Sequence, residues 1–350
     1  MGQEQSKQNQ VVSSISKQFK VDHEQLTKQL DYLNKKDYKF IGYLGKGAFG
    51  LVIQAHSQEH GNVAIKILDK KAENAEEIFK ETSAMEKLGN CENIVKIYEC
   101  LNCIKLNTYF IINQLCDCTL RDVVESNQLS LTQICAITEQ LLKGLDQMKN
   151  FNVVHCDIKP ENILYIKKNN RFVFSDFGLS HQIKSSKINS KSNVGGTLQY
   201  SAPEVLDNSS KLTYKLDVFS LGVTVAEIIR GQKFEGYDQI FGIKQDKILD
   251  FMPINLLNQQ FCDQLIKNMV CQSQIKRKDP QELLDILHNN FQFKQSELSK
   301  IIIKQKKYLS IVDDQLTHLT SVKDLSKYQD RSNISLDLRL KLNCSVNSIK

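Results

Sequence analysis

The alternation of apolar and polar residues divides the chain into a strand-rich first third and a helix-rich remainder. Between residues 38 and 68, the segments "YKFIGYLG", "LVIQAH" and "NVAIKIL" have the pattern of short β-strands. A helical pattern follows in residues 73–88, strand patterns return as far as Leu115, and residues 131–291 are mainly helical in pattern. We therefore predict an α+β fold of two lobes, a small strand-rich N-lobe and a larger, mainly helical C-lobe, separated by a cleft.

The two ends of the chain follow different patterns. Residues 1–37 are polar, but Leu26, Leu30 and Leu33 have helical spacing, which predicts a short amphipathic helix beginning near Asp22. Residues 333–346 are apolar at every second position, which predicts a strand. This strand could pack on the edge of its own domain, or pair with a partner or a second copy. We expect an N-terminal extension (1–37), a main domain (38–291) and a basic C-terminal tail (292–350).

Composition and charge narrow the class of protein. The 350 residues are 41% hydrophobic and 25% charged, which is typical of a soluble globular protein. No apolar run approaches the roughly 18 residues of a membrane-spanning helix, and no secretory signal opens the chain. We therefore expect a cytosolic or nuclear protein whose cysteines are mostly reduced. Of the net charge of +6, residues 291–350 supply +5, and the near-neutral body does not indicate a nucleic-acid groove.

The closest approach to a metal-binding pattern is a set of cysteines. Cys100 and Cys103, followed by Cys116 and Cys118, faintly resemble a zinc site, but no histidine completes the set. Both pairs fall in or beside predicted strands, so small core-filling thiols are the better interpretation.

A glycine-rich loop is the first candidate for chemistry. In "LGKGAFGLV", Gly45, Gly47 and Gly50 would let backbone amides approach phosphate oxygens. In a dinucleotide site the last glycine opens a helix, whereas here the strand "LVIQA" follows, and Lys66 comes 16 residues after Gly50 in "VAIK". A lysine inside an apolar strand needs a partner, and bound phosphates would provide one.

A carboxylate in the next helical segment could hold this lysine in place. Glu81 lies fifteen residues after Lys66 and could form an ion pair with it. Glu76, Glu77 and Glu86 are competing candidates in the same segment.

The segment "VVHCDIKPENIL" supplies three more polar groups within six residues. Asp157 could orient an attacking hydroxyl and accept its proton, and Lys159 could offset charge on a transferred phosphoryl group. The oxygen of Asn162 suits a hard cation such as magnesium, and Asp176 in the following "SDFG" could be a second ligand.

These motifs, in this order, resemble a eukaryotic protein kinase of the serine/threonine type from the glycine loop to about Phe291. The resemblance continues at "APE", which ends in Glu204, and at "DVFSLG", which begins with Asp217. The candidate partner of Glu204 is Arg277. In the second motif, Phe219 replaces the tryptophan that is usual in the family. The resemblance implies a two-lobed kinase-like fold, ATP and Mg²⁺ as cofactors, and protein substrates. The implied catalytic residues are Asp157 and Lys159. The implied ATP-binding residues are Leu44, Gly45, Gly47, Gly50, Val52, Ala64, Lys66, Glu81, Gln114, Cys116 and Leu164. The implied metal ligands are Asn162 and Asp176. The implied structural or regulatory residues are His155, Cys156, Phe177, Gly178, Thr197, Glu204, Asp217 and Arg277.

The resemblance also implies the acceptor and the adenine contacts. Lys159, two positions after the catalytic aspartate, and Thr197 in "GTLQYSAPE" are typical of kinases that phosphorylate serine and threonine. In "IINQLCDCTL", Asn113 would guard the back of the adenine pocket, and the backbones of Gln114 and Cys116 would bind adenine.

Cys156 departs from the family pattern, in which an arginine before the catalytic aspartate binds a phosphate on the activation loop. A cysteine cannot make this contact. All groups that would touch phosphate or metal are retained, so we expect an active enzyme that is less dependent on loop phosphorylation. The alternative is a pseudokinase or scaffold that binds nucleotide or partners without catalysis. A redox switch at Cys156 would require an exposed thiol of low pKa.

The start "MGQEQS" fits the pattern for N-myristoylation at Gly2. A single myristoyl chain gives marginal, reversible membrane binding. The expected location is therefore cytoplasmic with reversible membrane contact. No oligomeric state follows from the sequence.

Overall fold

The computed structural model describes residues 2–46, 50–69, 82–84, 86–89, 91–182, 196–206, 213–252 and 256–303. Its first part is a five-stranded antiparallel sheet in the order β1-β2-β3-β5-β4. The strands are β1 (Lys39–Lys46), β2 (Leu51–Ser57), β3 (Gly61–Asp69), β4 (Ile97–Cys103) and β5 (Thr108–Gln114). Residues 82–84 and 86–88, within the predicted helical segment, are helical.

The two faces of this sheet have different roles. Successive side chains of a strand point to opposite faces, so Ile65 and Ile67 of β3 are buried on one face while Ala64 and Lys66 lie on the other. The first face belongs to an apolar cluster that continues into the helices before the sheet. The second face therefore forms the roof of the cleft.

Two N-terminal helices cover the outer face of the sheet. They are α1 (Gly2–Phe19) and α2 (His23–Lys35), and the side chain of Asp22 caps α2 by accepting hydrogen bonds from two backbone amides. The three predicted leucines of α2, together with Val12 and Ile15 of α1, are at most 3% exposed. The predicted helix near Asp22 is present, but α1 was not predicted, because its few apolar residues give a weak pattern. Residues 2–35 are thus an integral part of the small lobe.

The second part of the chain is mainly helical, as predicted. Its helices are α3 (Leu120–Ser126), α4 (Leu131–Asn150), α5 (Pro203–Leu206), α6 (Lys215–Arg230), α7 (Tyr237–Lys244), α8 (Leu256–Phe261, continued by a π-helical turn, Cys262–Ile266, and by Lys267–Met269) and α9 (Pro280–Asn290). Its short strands are β6 (Cys118–Thr119), β7 (Val153–Val154), β8 (Ile163–Ile166), β9 (Arg171–Phe174) and β10 (His181–Gln182), paired as β6-β8-β9 and β10-β7. Helix α6 is buried along nearly its whole length and forms the centre of this lobe. The predicted two-lobed α+β fold is confirmed.

The start of the C-terminal tail also belongs to the folded body. A 3-10 helix, Gln295–Lys300, packs on α4 and places Leu298 and Ile301 in the core of the larger lobe. The predicted strand at 333–346 lies outside the described residues. Among the described helices, none is long and apolar enough to cross a bilayer.

Candidate active site

An ion pair joins the two lobes across the cleft. Gly45, Val52 and Lys66 are cross-strand neighbours on β1, β2 and β3. Lys66 is 9% exposed, and its Nζ donates a hydrogen bond of 2.8 Å to Oδ1 of Asp176, which follows β9. The predicted phosphate-binding lysine and metal-binding aspartate are thus brought together from residues 110 apart in sequence. Gly47 and Glu81 lie outside the described residues.

The two described loop glycines differ in their surroundings. A Cβ on Gly45 would meet nothing within 4 Å, so packing in the described structure does not require glycine at this position. A Cβ on Gly50 would lie 2.1 Å from the carbonyl oxygen of Ile67. Gly50 is therefore required by the close packing of β2 on β3, which is a different reason from the predicted approach to phosphate.

The cleft face next to Lys66 is lined by partly buried side chains. Val52 and Ala64 lie on the same face of the sheet as Lys66, and Leu164 lies on β8 of the larger lobe. Gln114 pairs with Val63, so its side chain points to the outer face and only its backbone could reach a ligand in the cleft. The remaining predicted adenine-side residues, Leu44 and Cys116, are also partly buried. This combination of partial exposure and mostly apolar lining suits a flat, aromatic ligand.

Asp157 is held by three side chains at the floor of the cleft. Lys159 Nζ donates to its Oδ2 at 2.7 Å, Asn162 Nδ2 donates to Oδ2 at 2.8 Å, and Thr197 donates to Oδ1 from its backbone N at 3.0 Å and its Oγ1 at 2.8 Å. Burial alone would raise the pKa of this carboxyl, but the hydrogen bonds from Lys159 and Thr197 outweigh burial and hold the pKa below its usual 3.8. Asp157 is therefore an ionised hydrogen-bond acceptor at neutral pH.

The donor set beside Asp157 fits a hard cation. Asn162 donates from Nδ2 to the backbone oxygen of Asp157 as well as to its carboxylate, which leaves the Asn162 side-chain oxygen as an acceptor. Asp176 adopts a left-handed conformation (φ 64°) and keeps its carboxylate 33% exposed. In the described ranges no three His, Cys, Asp or Glu side chains are arranged to hold a metal. Two protein oxygens would suit Mg²⁺ that takes its other ligands from phosphates and water.

The catalytic loop is anchored from below by a buried carboxylate. Asp217 on α6 accepts hydrogen bonds from the backbone N of His155 at 2.7 Å and of Cys156 at 2.9 Å. Burial raises the pKa of Asp217 to about 6, although the two amides and the nearby imidazole act in the opposite direction. The His155 ring lies 4.6 Å from the ring of fully buried Phe177, next to Gly178, and contacts the carbonyl oxygen of Ser175 at 2.9 Å.

Cys156 is part of the core. It has a left-handed backbone (φ 68°) and is 6% exposed. A Cβ on Gly196, which has φ 138°, would lie 2.6 Å from the Cys156 carbonyl oxygen, so the returning segment passes close to the loop. The exposed thiol that a redox switch requires is not present.

Glu204 and Arg277 form a buried bidentate ion pair. Arg277 Nη2 donates to Glu204 Oε2 at 2.7 Å, and Nη1 donates to the other oxygen. The guanidinium also lies 4.9 Å from the centre of the Phe219 ring, and Arg277 is 1% exposed. The residues predicted as partners are thus in contact, 73 residues apart in sequence.

Sequence reasoning missed Lys244 on α7. This buried lysine donates to the backbone oxygen of Ser201, in the segment between Thr197 and α5. Burial lowers the pKa of Lys244 to about 8, although Glu204 nearby acts to raise it. A lysine in the short segment "FGIK" has no distinctive sequence signal.

Replacing Lys244 with methionine is expected to alter the pH dependence of stability. The native pKa of about 8 lies below the usual 10.5 of the unfolded chain, so the unfolded chain binds the proton more tightly. Below pH 8 the buried charge lowers the free energy of unfolding. This loss of stability disappears as the pH rises from 8 to 10.5, so the free energy of unfolding should increase by up to about 3 kcal/mol over that range. The free energy of unfolding is measured in urea for both proteins at pH 7 and pH 10. From pH 7 to pH 10, the value for wild type should increase relative to the value for Lys244→Met. A constant difference, equal to that of the surface control Lys300→Met, would contradict this expectation.

A second missed group is a cluster of charged and hydroxyl side chains beside the catalytic loop. Arg121 on α3 contacts Glu161, Glu227 and the hydroxyl of Tyr200. Glu227 is fully buried within the apolar stretch "VTVAEII", and a lone charge in such a stretch is a signal that could have been followed.

Gly2, the predicted acylation site, is the first residue of α1.

Comparison with known proteins agrees with this geometry. Residues 38–291 match the family model described as "Protein kinase domain". The chain is 32% identical over 210 residues to mitogen-activated protein kinase 6 of Oryza sativa subsp. japonica, covering 57% of this chain and 55% of that relative. It is 31% identical over 209 residues to serine/threonine-protein kinase pakA of Dictyostelium discoideum, covering 57% of this chain and 16% of that relative. The chain thus spans about half the length of the first relative and much less of the second.

The matched range contains both lobes, the Lys66–Asp176 pair and the loop that carries Asp157. It extends over more than half of the chain. The chain therefore belongs to the protein kinase domain family, and the relatives reported above are serine/threonine protein kinases or mitogen-activated protein kinases by name.

Proposed function

We propose that this protein is an active, ATP- and Mg²⁺-dependent serine/threonine protein kinase. The observation that carries the proposal is the hydrogen-bonded group of Asp157, Lys159, Asn162 and Thr197, which lies in the same cleft as the Lys66–Asp176 pair. Asp157, Asn162 and Lys66 each make side-chain hydrogen bonds within this group, and these contacts support the proposal. Mg-ATP, when bound, supplies the phosphoryl group.

The protein residues have separable tasks. Asp157 is ionised and would orient the acceptor hydroxyl and take its proton, while Lys159 would offset negative charge on the phosphoryl oxygens. Lys66 would hold phosphates from the sheet side, and Asn162 and Asp176 would hold Mg²⁺. In such a site positioning and electrostatics carry most of the rate enhancement.

Serine and threonine are the proposed acceptors because of the contact between Lys159 and Thr197. Lys159 Nζ donates to Thr197 Oγ1 at 2.8 Å, so the lysine and the threonine that bracket Asp157 form one unit. This unit occupies the floor on which the acceptor would rest.

Low dependence on loop phosphorylation is proposed from the contacts that hold the segment after Gly196. Thr197 binds Asp157, Lys244 binds the Ser201 oxygen, and Glu204 binds Arg277. None of these contacts requires a phosphate. Cys156 is buried and offers no cation to one.

The second candidate is a pseudokinase or scaffold, favoured by the change at Cys156 and by the predicted strand at 333–346. It is opposed by the retained contacts of Lys66, Asp157 and Asn162. For location, we retain the proposal of a cytoplasmic protein with reversible membrane contact through myristoylation of Gly2.

The deciding experiment is transfer of radiolabelled γ-phosphate from Mg-ATP to a generic protein substrate after phosphatase treatment of the enzyme. Label on serine or threonine with the wild type, and none with Asp176→Ala, would establish an enzyme that needs no loop phosphate. If label appears only without phosphatase treatment, loop-independent activity is refuted. If ATP binds and no label appears in either case, the scaffold function is favoured.

A further inference from the structure

Lys244 is a buried cation with no assigned contact to phosphate, metal or acceptor. It ends α7, is 6% exposed, and its Nζ donates a hydrogen bond to the backbone oxygen of Ser201. The same nitrogen lies 5.8 Å from the centre of the Phe219 ring. Burying an ammonium group is unfavourable unless its surroundings compensate the charge, so the place of this lysine beside residues 197–201 needs an explanation.

Residues 197–201 form the turn that connects this lysine to the catalytic loop. The Thr197 carbonyl oxygen accepts hydrogen bonds from the backbone N of Tyr200 at 2.9 Å and from Ser201, through its backbone N at 3.2 Å and its Oγ at 3.1 Å. Thr197 itself donates to Asp157 from its backbone N and its Oγ1. Only Ser201 and Thr197 therefore separate the Lys244 ammonium from the catalytic carboxylate, with a hydrogen bond at each step.

The turn is anchored to helices of the larger lobe at two consecutive carbonyl groups. Ser220 Oγ on α6 donates to the Tyr200 oxygen at 2.9 Å, and Lys244 on α7 donates to the Ser201 oxygen. The Ser220 hydroxyl is neutral at every pH at which the protein is folded, whereas an ammonium group loses its charge when it loses a proton. Lys244 is therefore the anchor whose strength depends on pH.

The charge of Lys244 is weakly compensated by its neighbours. Glu204 on α5 is the carboxylate that favours the charged form, but both of its oxygens already accept hydrogen bonds from Arg277. Arg277 Cζ also lies 4.9 Å from the Phe219 ring centre, so a second cation shares that ring. Asp246, which follows α7, accepts a hydrogen bond from a backbone amide before α9. Burial consequently lowers the pKa of Lys244 to about 8, and the native protein loses this charge at mildly alkaline pH.

We propose that Lys244 is a positioning residue for phosphoryl transfer, whose ammonium group holds the Ser201 carbonyl and thereby the turn that joins Thr197 to Asp157. This inference rests on the proposed kinase function and adds a regulating group to it. The protonated lysine holds the turn through a charge-assisted hydrogen bond. The neutral amine is a weaker donor, so the turn loosens and phosphoryl transfer slows as the proton is lost.

The alternative is that Lys244 only supports the packing of α7. The two roles predict opposite effects of alkaline pH. Loss of the buried charge raises the free energy of unfolding above pH 8, so a purely structural lysine would leave transfer by the folded enzyme unchanged there. The positioning role predicts that transfer slows in the same pH range in which stability rises.

The test is the rate of phosphoryl transfer to a serine peptide in a single turnover at saturating Mg-ATP, from about pH 6.5 to about pH 9.5. The wild-type rate should fall about three- to tenfold with a midpoint near pH 8, as expected when a charge-assisted hydrogen bond becomes a neutral one. Lys244→Arg keeps its charge over this range and should not show the fall. Lys244→Met should be slow at every pH, without a midpoint near pH 8.

Two outcomes would overturn the inference. One is a wild-type rate that does not fall through pH 8. The other is a fall near pH 8 that Lys244→Arg and Lys244→Met share with wild type, because the titrating group would then lie elsewhere. Should Lys244→Met not fold, the comparison of wild type with Lys244→Arg still decides.

Lys149→Met is the matched control. Lys149 on α4 also contacts an oxygen acceptor and an aromatic ring, since its Nζ lies 3.2 Å from Asp279 Oδ2 and 5.1 Å from the centre of the Tyr214 ring. This variant should lower stability without changing the rate of transfer per folded molecule. An equal loss of rate in Lys149→Met and Lys244→Met would assign the effect to stability and refute the positioning role.

Amide hydrogen exchange separates this inference from the proposed function. At pH 7 the backbone amides of Thr197, Tyr200 and Ser201, which donate within the turn, should exchange roughly tenfold faster in Lys244→Met than in wild type. The amides of His155 and Cys156, held by Asp217, should exchange equally in both proteins. If wild type transfers no phosphate, the kinase function fails, and faster exchange confined to the turn still shows that Lys244 holds it. Equal exchange at the turn in the two proteins would refute the inference whether or not phosphate is transferred.

Discussion

Replacing either Asp157 or Asp176 with alanine is expected to lower phosphoryl transfer by about three orders of magnitude or more while the fold persists. Asp157→Ala removes the ionised acceptor held by Lys159, Asn162 and Thr197. Asp176→Ala removes an oxygen donor for the cation and leaves Lys66 without its contact across the cleft. The measurement is kcat for a peptide substrate at saturating Mg-ATP, with circular dichroism to check folding.

The two variants should differ in their dependence on Mg²⁺. The loss of ATP affinity caused by Asp176→Ala, measured against wild type, should be larger with Mg²⁺ present than without it. Asp157→Ala should leave the ATP affinity nearly unchanged in both conditions. The matched control is Asp285→Ala, which removes an exposed carboxylate from α9. Transfer by either cleft variant at more than about a tenth of the wild-type rate would remove that residue from its assigned role.

Arg277→Met should be the most destabilising single change. It leaves the Glu204 carboxylate, 5% exposed, without its bidentate partner, and breaking a buried ion pair from one side costs about 3–5 kcal/mol. The melting temperature should fall on the order of 10 °C. Differential scanning calorimetry of the purified variant checks this value.

The double variant Arg277→Met/Glu204→Met separates charge from packing. It removes both charges from the core, so a large part of the lost stability should return. A surface pair provides the scale: Lys300, 68% exposed, contacts Glu297, and Lys300→Ala should cost less than about 1 kcal/mol. If Arg277→Met cost no more than Lys300→Ala, the pair would not support the fold.

The fold and most of the candidate site could be predicted from the sequence, because both are encoded locally. The strand alternation of β1 to β3 is visible within each segment, and Asp157, Lys159 and Asn162 lie within one short loop. For Lys66 and Asp176, the sequence predicted that both side chains lie near the phosphates, but it did not predict their direct contact. Its geometry depends on how the lobes meet, which no local pattern contains.

The missed features depend on distant packing. Arg121 and Glu227 are 106 residues apart, and Lys244 and Ser201 are 43 apart, so neither pair leaves a joint pattern in the sequence. The requirement for glycine at position 50 comes from the Ile67 carbonyl on the neighbouring strand. Helix α1 was missed because its few apolar residues give a weak pattern, while packing on α2 and β1 holds it in place.

The N-terminal helices affect how the domain can be expressed. Residues 38–291 match the family, yet a fragment cut at those limits would lose Val12, Ile15 and the three leucines of α2 from the outer face of the sheet. Leu51, Ile53, Ile65 and Ile67 would then form a solvent-exposed apolar surface, which favours aggregation. A soluble, monodisperse preparation should therefore begin ahead of α1, and family limits alone are a poor guide to the folding unit.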